Sequence, residues 1–486
     1  MGYPSVVMAA LLAIGFFGDA GLLFRLFFAT SAFTSLSLLP PDAIGGLSLL
    51  PQTVLVVLLF GRIALDPRLG GRAAAYALDF DKFGLLFAFL AAAVVISVIS
   101  PNLFAGQIRV IPIRLEDDFQ TGQLAFSTTN LTQCAYLATS VLAGLSISVL
   151  ATQPGFRDKF VSALLLGGIV VVLSGVADLV FADSGVLKPF RNASYAILDN
   201  SATLGVRRLI GLAPESSTFG WNGAFFASML LFLRPAVEKA LTRAVMLATA
   251  GALALMVVLS TSTTGYLWLI SIVMWYFIDF GVRGFTPTRD RRASARVGAE
   301  LLTLICLLLA TIAVFAMMDT LYAQLSDFLD AILFKKTATV SYQARSFWNA
   351  TSLSAFVASH GLGVGVGSTR SSSGYVALAA TTGVVGASII ALFITQTLMT
   401  KGYDESSEAF VKGVRLALVS ALLPWALAGN VDFGANIGAM FGAVIGVAAA
   451  RPARARPPAP ARRERLAPAR EPDPAPARVR RSAPAA

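Results

Sequence analysis

The sequence has a single histidine, His360, and two cysteines, Cys134 and Cys306, in 486 residues. Both cysteines fall inside apolar runs, so neither a disulfide framework nor a thiolate metal site is indicated. One histidine argues against a His-based metal centre. Charged residues make up only 13% of the chain against 56% hydrophobic ones, and the mean hydropathy is +0.73. A soluble domain of this length does not carry so much apolar surface. The few charges are unbalanced, with a formal net charge of +11. That excess lies in loops and in a tail beside apolar runs, so its expected neighbour is anionic lipid and not nucleic acid. No charged segment with a small-residue cleavage pattern precedes the first apolar run, which reads as a retained span.

What is present is a series of apolar runs long enough to cross roughly 30 Å of hydrocarbon at about 1.5 Å per residue. They cover 6–32, 46–60, 83–104, 124–150, 161–181, 219–233, 244–260, 266–280, 301–317, 375–398, 414–427 and 437–449. The sequence therefore predicts an all-α, polytopic membrane helix bundle of about twelve spans. Nine spans fill 1–318, with outer loops at 105–123 and 182–218; a large outer loop follows at 319–373, and three more spans fill 374–450. The stretch 451–486 is Ala, Pro and Arg almost throughout. It lacks hydrophobic periodicity and is expected to be disordered.

Alternate connections differ in charge. One set holds seventeen Lys and Arg in short loops, and the other holds ten spread over longer loops. By the positive-inside bias, both termini are expected in the cytoplasm and the 319–373 loop in the periplasm of a bacterial inner membrane. No internal repeat divides the chain into matching halves, which argues against a repeat-built transporter.

The outer set of arginines carries the chemistry, because guanidinium forks match phosphate oxygens. Arg207 and Arg208 precede Glu215-Ser-Ser-Thr at the entry to a span. Arg345 opens an expected amphipathic helix that puts Asn349 on its own face and Phe347 and Trp348 at the interface. Arg370 follows a run in which Gly361, Gly363, Gly365 and Gly367 alternate with Leu362, Val364 and Val366. Three cationic clusters on one side fit a membrane-bound diphosphate or, one by one, lipid headgroups. The glycines either bring backbone amides to a ligand or form a tight re-entrant turn. The run lacks the Gly-Lys-Ser/Thr ending of a nucleotide P-loop. His360 is the candidate general base and Glu215 its rival. Asp19, Arg25, Asp178 and Asp279 fall in the expected spans, where they must pair, line a water cavity or sit near an interface.

The loop from Arg208 to Gly220, then Arg345 with Trp348, then His360 through Ser373, in that order and on one expected side, resemble the superfamily of O-antigen ligases and O-antigen polymerases. The resemblance covers roughly the last 300 residues. It implies a helical, GT-C-like membrane glycosyltransferase that moves a glycan from undecaprenyl diphosphate to an acceptor hydroxyl without metal, nucleotide or other cofactor. Arg208, Arg345 and Arg370 match its basic positions, and His360 lies where the ligases carry their proposed base. Two departures stand out. Ser262-Thr-Thr-Gly265 lacks an arginine that family members often carry, and Gly361 after His360 favours a polymerase of surface or exopolysaccharide over a ligase. Implied partners are the lipid-linked glycan, membrane lipids and a chain-length regulator, with no nucleic acid. A multi-span transporter or lipid-glycan flippase is the rival from another class.

Overall fold

A computed structural model describes residues 2–18, 20–40, 48–113, 119–193, 197, 202–203, 206–285 and 340–450. Fourteen α-helices lie among them: α1 (Tyr3–Phe17), α2 (Ala20–Ala29), α3 (Pro51–Leu65), α4 (Pro67–Leu78), α5 (Gly84–Leu103), α6 (Thr128–Leu150), α7 (Phe156–Phe181), α8 (Ser216–Leu233), α9 (Ala240–Leu259), α10 (Thr263–Phe285), α11 (Val340–Ala358), α12 (Gly374–Met399), α13 (Glu405–Trp425) and α14 (Gly434–Ala449). The only strands among the described residues are two-residue pairs in the α5–α6 and α7–α8 connections, Arg109–Val110 (β1) with Gly122–Gln123 (β2), and Ala202–Thr203 (β3) with Val206–Arg207 (β4).

Six of these helices, α5, α6, α7, α9, α10 and α12, are long and apolar enough to cross a membrane. The expected twelve spans are not reproduced. Helices α1, α2, α3 and α14 are apolar but shorter, and the expected span at 301–317 lies outside the described residues. So do 319–339 of the large loop and the 451–486 tail.

The first expected span, 6–32, is two helices. A Cβ on Gly15 of α1 would stand 3.1 Å from the side chains of Leu23 and Leu26 of α2, so the two helices pack as a hairpin. Arg62 near the end of α3 donates to the carbonyls of Gly15, Phe16 and Gly18, satisfying acceptors that the end of α1 leaves open. At the other end of the hairpin, Ser5 donates to the Ser37 carbonyl at 2.8 Å, and Asn192 donates to Ser5 at 3.1 Å. Tyr3 therefore lies at the bundle end that holds the 182–208 loop, whereas α14 runs down to Ala449 at the other end. Gly18 ends α1 within a run whose apolar composition alone is continuous.

Helices α6 and α14 make the closest contact in the bundle. Gly438, Gly442 and Gly446, spaced one turn apart on α14, lie on the carbonyls of Ser140, Gly144 and Ser148, spaced the same way on α6. Any Cβ at the three glycines would overlap those oxygens. Small residues at every fourth position let backbones approach where no hydrophobic effect drives helices together in lipid. Beside this seam, Phe24 and Phe28 of α2, Phe156 and Phe160 of α7, Phe225 and Phe226 of α8, and Phe410 of α13 pack ring on ring. We expect Gly442→Val to force the helices apart and lower stability by about 1–3 kcal/mol, the usual cost of overpacking a close contact. A thermal melt of the purified protein in detergent, compared with the peripheral control Gly251→Ala, checks this; an unchanged melting temperature in Gly442→Val refutes the seam.

Candidate functional site

The loop between α7 and α8 is organised by Asp178, which lies in the last turn of α7 and is 1% exposed. A buried carboxylate needs every oxygen satisfied. Arg191 approaches one oxygen at 2.7 Å and Arg207 approaches the same oxygen at 3.1 Å. The amides of Ile210 and Gly211 donate to the other at 2.9 and 3.0 Å. Arg191 also donates to the Gly211 carbonyl at 2.6 Å. Asp178 thus takes the pairing option of the three open to an acid within a span. Arg207, expected in the diphosphate set, is thus paired with this carboxylate.

Arg208, the next residue, faces the other way. Its Nε donates to the Thr261 hydroxyl at 3.1 Å and its Nη2 to the Thr261 carbonyl at 3.2 Å, in the turn between α9 and α10. Burial holds its guanidinium below the ordinary arginine value; Glu215 opposes this, and Arg345 nearby pushes the same way. The fold has therefore brought Arg208 and Arg345, 137 positions apart in sequence, near enough for their charges to act on one another. Arg345 makes no hydrogen bond or ion pair among the described residues. Glu215 is the N-cap residue of α8, accepts from the Ser217 hydroxyl, and is partly buried. Two guanidinium groups at the entry to a helix N-terminus form a cradle for an anion, because helix amides and cations favour the same charge.

Arg370 stacks on Trp348, which lies one helical turn after Arg345 on α11. Its guanidinium carbon lies 3.7 Å from the centre of the Trp348 ring, and its amide donates to the Ile111 carbonyl at 2.7 Å. Trp348 is not an interfacial anchor. It is 8% exposed and packs with Ile111 and Ala344, while Phe347 meets Phe119 at 5.8 Å. Asn349 shares the face of Arg345 as expected, and its oxygen accepts from the amides of Ser372 and Ser373 and the hydroxyl of Ser371. It ties the start of α12 to α11.

The glycine run is a re-entrant turn whose amides are spent on protein. Val364 and Gly365 donate to the carbonyls of Ala380 and Thr381, and Val384 returns a bond to the Gly361 carbonyl. These bonds are possible because α12 breaks at Gly383, at φ +64°. Gly361, Gly363, Gly365 and Gly367 all have positive φ, and a Cβ on Gly365 would stand 2.8 Å from Ser97 of α5. Val366 donates to the Ser97 hydroxyl at 2.8 Å, and Asn130 of α6 donates to the Val366 carbonyl at 2.8 Å. Of the two readings of the run, the turn holds.

The structure does not bring His360 to the arginines. It follows α11, on which Arg345 lies thirteen residues before Ala358, a separation of about 20 Å at the helical rise. His360 has φ +53° and is exposed, beside Val357 and Val384, which are 71% and 57% exposed. Glu215 is the candidate base that the fold keeps beside the cationic pair.

Two residues at this end were not singled out in the sequence. Thr261 has no motif around it that announces a role, and only its contact with Arg208 does. Asp432 lies in the connection between α13 and α14, where burial pushes its carboxyl up from 3.8 to about 6. Among the described residues there is no group of three or more His, Cys, Asp or Glu placed to hold a metal ion.

Two outcomes follow from these acids. Asp178→Ala leaves Arg191, whose side chain is 6% exposed, as a buried charge without its carboxylate. We expect a loss of about 3–5 kcal/mol, read as a lower melting temperature or loss of folded protein. For Asp432 the folded value lies above the ordinary one, so its stabilising protonated form is fully present below pH 3.8 and is lost as pH rises through about 6. Asp432→Asn should therefore melt higher than the parent at pH 7.5, with the advantage gone near pH 4; equal melting at pH 7.5 refutes the assignment.

No protein-family model matches the chain, and no curated protein matches it.

Proposed function

We propose that the chain is a membrane glycosyltransferase that polymerises a surface or exopolysaccharide from repeat units linked to undecaprenyl diphosphate. The observation that supports this reading is the meeting of Arg208 and Arg345 beside Glu215 at the N-terminus of α8. Like charges repel, and an anion between two guanidinium groups stabilises the pair, as the Glu215 charge already does for Arg208. A diphosphate carries enough charge and enough oxygens for two forks. In the transfer, the bond between the sugar C1 and the diphosphate oxygen breaks while C1 bonds to the acceptor hydroxyl oxygen. The hydroxyl proton passes to the Glu215 carboxylate, and the leaving diphosphate gathers charge that Arg208 and Arg345 neutralise. Arg370, stacked on Trp348 one turn along α11 from Arg345, adds a third cation.

The site end of the bundle faces the periplasm in this reading. The opposite end carries Arg62, Arg68, Arg72, Lys82, Arg157, Lys159, Arg234, Lys239, Arg243, Arg283, Lys401, Lys412 and Arg415, the excess that marks a cytoplasmic face. An O-antigen ligase would use the same donor with a lipid A core acceptor, and the placement of His360 away from the arginines speaks for the polymerase.

The test is glycan transfer by the purified protein from a lipid-diphosphate-linked repeat unit. Arg345→Lys should lose most activity although its charge remains, because a fork becomes a point charge. Glu215→Gln should cut turnover about 10²-fold to 10⁴-fold, and His360→Ala should keep most of it. Collapse in His360→Ala with full activity in Glu215→Gln would return the base to the histidine. Lipid-diphosphate movement across proteoliposomes with no transfer would place the chain among transporters.

A further inference from the structure

Thr261 is one of three non-glycine residues with positive φ among the described residues, at +47°. For a β-branched residue this conformation is an outlier, and such outliers persist only where the surroundings hold them. The surroundings here are a tight turn. Ser260 ends α9 with its hydroxyl on the Val257 carbonyl at 2.7 Å, the Thr261 amide reaches the Val258 carbonyl at 3.1 Å, and the Ser262 hydroxyl accepts from the Gly265 amide at 3.2 Å at the start of α10. Glycine would meet the same turn without strain. It would not supply the hydroxyl, and the hydroxyl is what Arg208 uses: its Nε reaches Thr261 Oγ1 at 3.1 Å while its Nη2 reaches the carbonyl of the same residue at 3.2 Å.

A guanidinium gripped along one edge by two acceptors in its own plane has its orientation fixed, and the remaining N–H groups point away from the grip. The charges of Glu215 and Arg345 act on this guanidinium. We infer that Thr261 is the positioning residue for Arg208: its left-handed backbone aligns hydroxyl and carbonyl as a clamp on one edge of the guanidinium, leaving the other edge for the diphosphate. The inference rests on the arginine pair being the diphosphate site.

The experiment measures binding of farnesyl diphosphate to the purified full-length protein in detergent by titration calorimetry, alongside the melting temperature of each variant. Thr261→Gly relieves the backbone and removes the hydroxyl. It should melt at or above the parent temperature yet bind about 10-fold or more weakly, the cost of losing a hydrogen bond to a charged group. Thr261→Ser keeps the hydroxyl and should bind within about 3-fold of the parent. A merely structural role would make affinity follow stability, so tight binding by Thr261→Gly overturns the proposal. Arg208→Lys separates the two readings. If Arg208→Lys weakens binding and Thr261→Gly does not, the clamp is wrong and the arginine site stands; if neither weakens it, the arginine site itself fails.

Discussion

The carboxylate of Asp178 is the constraint on which the site depends. It lies within a membrane-crossing helix, where an unpaired charge is costly, and it is satisfied by two guanidinium groups and two amides from the following loop. Those four bonds fix the path of the chain from Arg207 to Gly211. Once the path is fixed, the alternation of side chains sends Arg208 away from Asp178, and Glu215 arrives at the first turn of α8. Of the three arginines in this loop, Arg191 and Arg207 serve Asp178 and Arg208 turns to Thr261.

The apolar bundle was legible in the sequence, because continuous apolar runs admit few other solutions in lipid. The breaks were not. Gly18 turns one run into a hairpin, and nothing in composition distinguishes a glycine that ends a helix from one that passes through it. The amphipathic helix around Arg345 and the turn-forming glycines were also legible, since their spacing states a conformation. What escaped was partnership. Arg207 and Arg208 are adjacent and chemically alike, and they are told apart only by a carboxylate thirty residues upstream and a threonine fifty residues downstream. His360 looked close to Arg345 in the sequence, and the rise of α11 carries it away. The raised carboxyl pKa of Asp432 depends on its burial, which no local pattern encodes.

The site end and the far end of the bundle are built differently. At the site end, connections are long and tied by side chains to backbone, as Asn349 ties residues 371–373 and Asn130 ties residues 366–368. At the far end, ion pairs join helices, as Asp279 of α10 pairs with Arg283 in its own helix and with Lys412 of α13. Directional bonds to backbone hold a loop in one shape, whereas exposed ion pairs tolerate several. The connection that Asn130 and Asn349 tie down is the one that carries Arg370.

The hairpin of α1 and α2 bears on how this chain is assembled during synthesis. At fifteen and ten residues, the two helices are about 22 Å and 15 Å long, short of the roughly 30 Å of a bilayer core. Neither can stand across the membrane alone, and Arg62, which closes the end of α1, belongs to a helix translated later. The hairpin is therefore among the segments that must wait for later ones: α3 supplies its cap and α7 the wall against which α2 packs. Order of emergence and order of docking run in opposite directions at this corner of the protein.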